Sequence, residues 1–244
     1  MSQQESAVII GVGPERGLGA TLAELCGAKG LHVYIAGRSE EKLQQVVNRI
    51  VENGGQATSI VADATQEYDI DHLFDIIHFD GAALQLAVYN VDSNIPAPIL
   101  DTQAEIFTKL WQQNCLGAFL FGKAAVEYML PNKKGTLIFT GATASLRAKP
   151  PFTAFASAKA ALRSLAQGLA REFSPAGIHV VHAIIDGVIN GDRAAQQFPE
   201  YYQSKGEAGM LKLEAIAETY WSLHCQHPSA WTHELDLRPF KEPF

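Results

Sequence analysis

Ala7-Val8-Ile9-Ile10-Gly11-Val12-Gly13-Pro14-Glu15-Arg16-Gly17-Leu18-Gly19 is the stretch on which the fold turns. Four apolar residues run into a cluster of glycines, and a helical pattern, Leu18–Lys29, follows and stops at Gly30. Glycines 13, 17 and 19 fit G-x-x-x-G-x-G. Between a strand and a helix, such a loop lets a pyrophosphate approach the backbone and the positive end of the helix closely. Gly13, Arg16, Gly17, Leu18 and Gly19 are therefore candidates to bind a dinucleotide.

Outward from that loop, two kinds of segment alternate. Ala7–Ile10, His32–Ala36, Thr58–Ala62, Leu84–Val88, Thr136–Thr140 and His179–Ile185 are short apolar runs, as expected of parallel strands buried on both faces. Between them the spacing predicts helices over Leu18–Lys29, from a Ser39 cap to about Glu52, over Asp69–His78, over Glu105–Leu130 up to Pro131, and over Phe152–Phe173. This alternation predicts α/β: one doubly wound parallel sheet, a Rossmann fold with helices on both faces, over the whole of 1–244. The polar, glycine-containing segment 186–209 departs from it and reads as a substrate lid. Residues 230–244 read as an aromatic, charged tail that docks on the body or on a neighbouring subunit, with Glu234-Leu235-Asp236-Leu237 as a seventh strand.

The second strand ends Ala36-Gly37-Arg38-Ser39. An acid there would suit the ribose hydroxyl of NAD, and an arginine suits the 2′-phosphate of NADP. Gly37 stands where the acid would be, and Arg38 follows. With Arg16 in the loop, two guanidiniums match one phosphate in charge and geometry, so NADP(H) is the expected cofactor.

In this order the features resemble the short-chain dehydrogenase/reductase family, from about Val8 to Ile189. Asp63 and Ala64 look like the family's adenine-binding residues after the third strand. Tyr89-Asn90-Val91-Asp92 is similar to its N-A-G motif, with Asn90 kept and the Ala and Gly replaced. Asn114 matches the helix asparagine that holds a water in the family's proton relay. Ile178–Ile189 resembles the sixth strand and the P-G turn beneath the nicotinamide, with Asp186 replacing the proline. Gly187, Val188 and Ile189 are thereby cofactor candidates. In the family the two long helices form a two-fold interface, which implies a homodimer or homotetramer here.

The acid side departs from the family. Its proton donor is a Tyr four residues before a Lys, so that phenol and ammonium share a helix face and the cation lowers the phenol pKa. Phe155-Ala156-Ser157-Ala158-Lys159 keeps Lys159 and places Phe155, which exchanges no proton, at the Tyr position. The family serine maps to Ala142, with Thr143 beside it as the substitute hydroxyl. This resembles a divergent subgroup with Phe for Tyr and the Lys kept. Lys159 keeps a role without the Tyr, because in the family it also binds the nicotinamide ribose. The candidates are thus Asn114, Lys159 and Thr143 for catalysis, and Phe155, Ala142, Tyr201 and Tyr202 for the substrate pocket. For the two lid tyrosines, packing the lid on the body is the simpler reading. Tyr89 reads as packing on its strand and His182 as a core histidine.

Composition narrows the class. With 244 residues, 47% hydrophobic and 18% charged, the chain is neither disordered nor dependent on disulfides for a core. A net charge of −7 with scattered Lys and Arg excludes a basic nucleic-acid-binding stripe. No apolar run approaches a membrane span, and Met1–Ser6 lacks a signal-peptide core. Cys26, Cys115 and Cys225 are widely spaced and read as reduced thiols of a cytoplasmic protein. His224, Cys225 and His227 match no common zinc spacing, so no metal is expected. The expectation is an NADP(H)-dependent oxidoreductase acting on a carbonyl, an alcohol or an activated C=C bond of a small molecule. The alternative is a non-catalytic dinucleotide-binding redox sensor or inactive subunit; a dehalogenase-like lyase is disfavoured, since that branch keeps the Tyr and loses the glycine loop.

Overall fold

Apolar residues at consecutive positions make strands that must be covered on both sides, and the chain folds accordingly. In the computed structural model, which describes residues 3–242, β1 (Glu5–Ile10), α1 (Leu18–Ala28), β2 (His32–Gly37), α2 (Glu40–Glu52), β3 (Gln56–Val61), α3 (Glu67–Phe79) and β4 (Ala83–Tyr89) form the first half. There follow α4 (Ala104–Trp111), α5 (Gly117–Met129), β5 (Gly135–Ala142), α6 (Thr153–Phe173) and β6 (Ile178–Ile185). The last part holds β7 (Val188–Ile189), α7 (Asp192–Gln197), α8 (Pro199–Lys205), β8 (Met210–Leu211), α9 (Leu213–His224) and β9 (Glu234–Leu237).

Seven strands lie in the order β3-β2-β1-β4-β5-β6-β9, all parallel. The winding reverses between β1 and β4, which opens a crevice at the carboxyl edge of the sheet. One face is covered by α3, α5 and α6 through Leu73, Phe121, Met129 and Leu162. The other is covered by α1, α2 and α9 through Leu22, Leu43 and Tyr220. The doubly wound α/β class expected from the alternation is the observed one. No helix among the described residues is long and apolar enough to cross a membrane.

Three local expectations are corrected. The single helix expected over Glu105–Leu130 is two helices joined by a π turn, Gln112–Leu116. In that turn the Gly117 N–H reaches back five residues to Gln112 O. Asn114 Nδ2 takes the Leu110 carbonyl at 2.9 Å, the acceptor an α-helical ladder would give to the Asn114 N–H. Gly117 is required here, since a Cβ would come within 2.5 Å of Tyr89 Oη and 2.7 Å of Ala64 O. The segment 186–209, read as a loop, carries β7, α7, α8 and a 3₁₀ turn. Finally, α9 was not foreseen, although Leu213, Ile216, Ala217, Tyr220 and Leu223 form its buried stripe at helical spacing.

Glu234 on β9 pins three elements together. It accepts from Arg163 Nε and Nη2 of α6, each at 2.7 Å, and pairs with His182 Nδ1 of β6 at 2.9 Å. The Arg163 hydrogen bonds hold the Glu234 carboxyl down at about 2. Burial pushes the His182 imidazole down to about 4. Both groups bind fewer protons folded than unfolded between those values and their ordinary ones, so their stabilisation is lost as pH falls. Urea midpoints are expected to hold above about pH 6.5, to drop towards pH 4 as unfolded-state histidines charge, and to drop further towards pH 2. His182→Gln should shrink the first drop, with His179 and His224, also held down by burial, supplying the rest. Midpoints that do not move between pH 7 and pH 4 would contradict this.

Candidate functional site

The glycine loop lies between β1 and α1 at the carboxyl edge of the sheet. Gly11 there has φ +91°, and a Cβ would come within 2.6 Å of the Asn90 carbonyl. Only glycine lets the loop pass so close to the end of β4. No side chain caps α1, so its first N–H groups and the positive end of its dipole are left for an anion. A side chain at Gly37 would overlap the Val12 carbonyl, so no carboxylate can stand at the end of β2. Arg38 beside it is exposed, as is Arg16. Asp63, after β3, accepts from the Thr65 N–H at 2.9 Å and from its hydroxyl at 2.8 Å.

Arg16 faces the segment 186–209. Its Nη2 donates to Asn190 Oδ1 at 3.5 Å, its N–H donates to Asp192 Oδ2 at 3.3 Å, and its carbonyl accepts from the Asp192 N–H at 2.9 Å. Glu15, the acid in the loop, is met by Arg49 of α2 at 3.8 Å, and Arg49 also pairs with Glu24.

At the end of β4, Asn90 donates from Nδ2 to Gly11 O at 3.3 Å and accepts from Thr140 Oγ1 at 3.1 Å. Tyr89 is fully buried and donates to Gln113 O at 2.6 Å, as a packing residue does. Asn114 is buried and donates to Ser93 O at 3.0 Å as well as to Leu110 O. Lys159 is 1% exposed. Its Nζ donates to Thr140 O at 3.1 Å and lies 3.2 Å from Asp92 Oδ1. Asp92 Oδ2 accepts from Arg193 Nη1 of α7 at 3.1 Å. Burial would raise the Asp92 carboxyl, but the Lys159 and Arg193 charges outweigh it and hold the group below the usual carboxylate range.

Phe155 is buried, with the Lys159 ammonium 5.7 Å from its ring centroid, so the two share one face of α6. The Ala142 N–H donates to Ser145 Oγ at 3.2 Å. Thr143, expected to offer a hydroxyl, donates it to Asp186. Asp186 also accepts from Arg147 Nη2 at 3.1 Å and from Arg238 Nη2. The tail is thereby tied to the end of β6, and Pro239 packs so close to Gly187 that a Cβ there would come within 2.8 Å of its ring. Val188 and Ile189 pair with Met210 and Leu211. Tyr202 donates to Asn190, while Tyr201 is half-exposed under the Lys205 ammonium. These two phenols engage residues of the segment 186–209 itself. His224 pairs with Thr136 and His227 with Ser229, and no group of three ligating side chains among the described residues could hold a metal.

The structure thus brings Asn90, Asn114 and Lys159 together around the end of β4. Sequence reasoning missed the roles of Asp92, Arg193 and Asp186. Asp92 and Asp186 were visible as acids at positions where the resembled motifs have glycine and proline, and that was the available signal. Arg193 carried none.

The family model described as short chain dehydrogenase matches residues 7–201. The short-chain dehydrogenase from Rhodopseudomonas palustris has 34% sequence identity, with 98% of this chain and 100% of that chain covered and a TM-score of 0.83. 3beta-hydroxysteroid dehydrogenase 1 of Eggerthella lenta is 29% identical over 194 residues, 79% of this chain and 74% of that protein. A 3-oxoacyl (acyl-carrier-protein) reductase from Agrobacterium tumefaciens, solved with NADP bound, shares the fold at 23% identity and a TM-score of 0.82, covering 96% of this chain and 93% of that one.

The crowding at Gly37 is directly testable. Gly37→Ala is expected to cost about 1–3 kcal/mol in urea unfolding, because the loop backbone has to move. Arg38→Ala, one residue on and exposed, should stay within about 0.5 kcal/mol of the parent. Equal stabilities for both variants would show that the loop is not held at that contact.

Proposed function

The chain belongs to the short-chain dehydrogenase family, and we propose that it is an NADP(H)-dependent oxidoreductase, acting in the cytoplasm on a carbonyl, an alcohol or an activated C=C bond of a small molecule. The observation that carries this reading is the end of β2, where Gly37 has no room for a carboxylate and Arg38 presents a guanidinium. The uncapped α1 and the close approach at Gly11 suit the pyrophosphate. The NADP bound by the Agrobacterium reductase supports the same choice of cofactor.

Gly13, Gly17, Leu18 and Gly19 would hold the pyrophosphate, Arg38 with Arg16 the 2′-phosphate, Asp63 and Ala64 the adenine, and Asn90, Lys159, Gly187, Val188 and Ile189 the nicotinamide end. When bound, the dinucleotide supplies or accepts the hydride. Lys159 has three donors: Thr140 O accepts from one, and a second side of the ammonium faces Asp92 Oδ1 as an ion pair at 3.2 Å. The third is left for a ribose hydroxyl or for a water shared with Asn114. Phe155 keeps the neighbouring space apolar and cannot give a proton, so the variant Phe-x-x-x-Lys site needs another donor. A positioned acid typically contributes ~10²–10⁴-fold, so a substrate needing little protonation suits the site best.

The second reading, a dinucleotide-binding sensor or inactive subunit, is favoured by Phe155 together with the commitment of Thr143 to Asp186. We also propose a homodimer or homotetramer built on α4, α5 and α6; on the first two, Phe107, Trp111 and Phe119 are 40–46% exposed.

NADPH is expected to bind more tightly than NADH. Arg38→Ala should weaken NADPH alone by about ten- to hundredfold, the worth of a charged hydrogen-bonded contact. Titration of both cofactors checks this, and equal affinities in the parent chain would count against NADP(H). The double variant Ala142→Ser, Phe155→Tyr is expected to reduce a dicarbonyl or quinone with NADPH at least about tenfold faster than the parent. No gain with NADPH binding intact would favour the sensor, whereas a slower variant would show that the apolar site has its own route to the proton.

A further inference from the structure

Asp92 is the residue that sets an acid where the resembled N-A-G motif ends in glycine. Its carboxylate joins two elements that touch it from different parts of the chain. Oδ1 lies 3.2 Å from Lys159 Nζ on α6. Oδ2 accepts from Arg193 Nη1 on α7 at 3.1 Å. The same Arg193 nitrogen donates to Asp92 O at 3.0 Å, and Nη2 donates to Asn94 Oδ1 at 3.1 Å. The three side chains differ in exposure: Lys159 is buried, while Asp92 and Arg193 are about one third exposed, at 30% and 39%. A buried ammonium is tolerated only with a counter-charge, and Asp92 is the carboxylate paired with this one. Half of that counter-charge is shared with α7, which belongs to the segment also bonded to the glycine loop through Arg16 and Asp192.

We infer that Asp92 is a positioning residue that makes docking of the α7 segment and placement of the Lys159 ammonium a single event. With Arg193 docked, the carboxylate is fixed by two cations and Lys159 is held between Asp92 and Thr140. With Arg193 away, the carboxylate is free to turn, and the ammonium follows it. The consequence for ligand binding rests on the dinucleotide reading above. A cofactor held at both the glycine loop and Lys159 binds the docked form more tightly and shifts the population towards it.

Amide exchange across 190–197 in the cofactor-free chain reads docking, and NADPH titration reads the coupling. Asp92→Asn and Arg193→Met are each expected to speed exchange at least tenfold, and the double variant no further. Lys159→Met and Arg193→Met should each weaken NADPH at least fivefold. Together they should cost well under the product in the parent chain but combine independently in an Asp92→Asn background, a dependence that a merely structural Asp92 would not produce. Unchanged exchange in Asp92→Asn, or independent combination in the parent chain, overturns the proposal. Arg193 is on the surface and its variant should fold, so unchanged exchange in Arg193→Met overturns it even if Asp92→Asn is too unstable to study. If the parent chain binds no NADPH, the dinucleotide reading fails and the exchange result alone decides this one.

Discussion

A lysine ammonium held in a protein interior without a counter-charge is strongly destabilising, and the arrangement around Lys159 follows from that constraint. The residue is 1% exposed on α6, where an amphipathic helix ordinarily sends lysine to solvent. There Thr140 O accepts a hydrogen bond from its Nζ and Asp92 supplies the opposite charge. Asp92 in turn lies on the turn after β4, which fixes how that turn, α6 and α7 meet. The ring of Phe155, 5.7 Å from the same ammonium, closes the apolar side. The retained lysine is therefore part of the packing as well as of the site.

The two ends of the site are built differently. At the glycine loop the surface is made by backbone, and steric exclusion at Gly11 and Gly37 leaves little freedom for substitution. Around Phe155 and Ala142 the groups are side chains, which can be exchanged without moving a strand. There Phe155 and Ala142 stand at the resembled Tyr and Ser positions, and Asp186 has replaced a proline. Asp186 draws in Thr143, Arg147 and Arg238, so hydroxyl and guanidinium groups facing the end of β6 are joined to one buried carboxylate. A rigid charged cluster thus occupies ground where a freely donating hydroxyl was expected.

Most of the fold was legible because fully buried parallel strands leave consecutive apolar residues, as in β1 and β6, and because glycine marks the loop between β1 and α1. The break in the helix over Glu105–Leu130 was not legible. What marks it is a long-range contact, Gly117 against Tyr89 and Ala64, which no local spacing shows. α9 is legible in the helical spacing of Leu213, Ile216, Ala217, Tyr220 and Leu223. In the site, the glycines could be found from their spacing, and Asn114 and Lys159 from the resemblance to the family. Arg193 could not, because it reaches Asp92 from 101 residues away and has no local pattern.

The most direct test of the central claim, a dinucleotide end kept intact beside a vacated acid position, is a crystal structure grown with NADP⁺. The account predicts the 2′-phosphate on Arg38, the pyrophosphate at the start of α1, and the nicotinamide between Lys159 and the face of Phe155. A crevice without dinucleotide at saturating NADP⁺, or a nicotinamide lying away from Phe155 and Lys159, would contradict it.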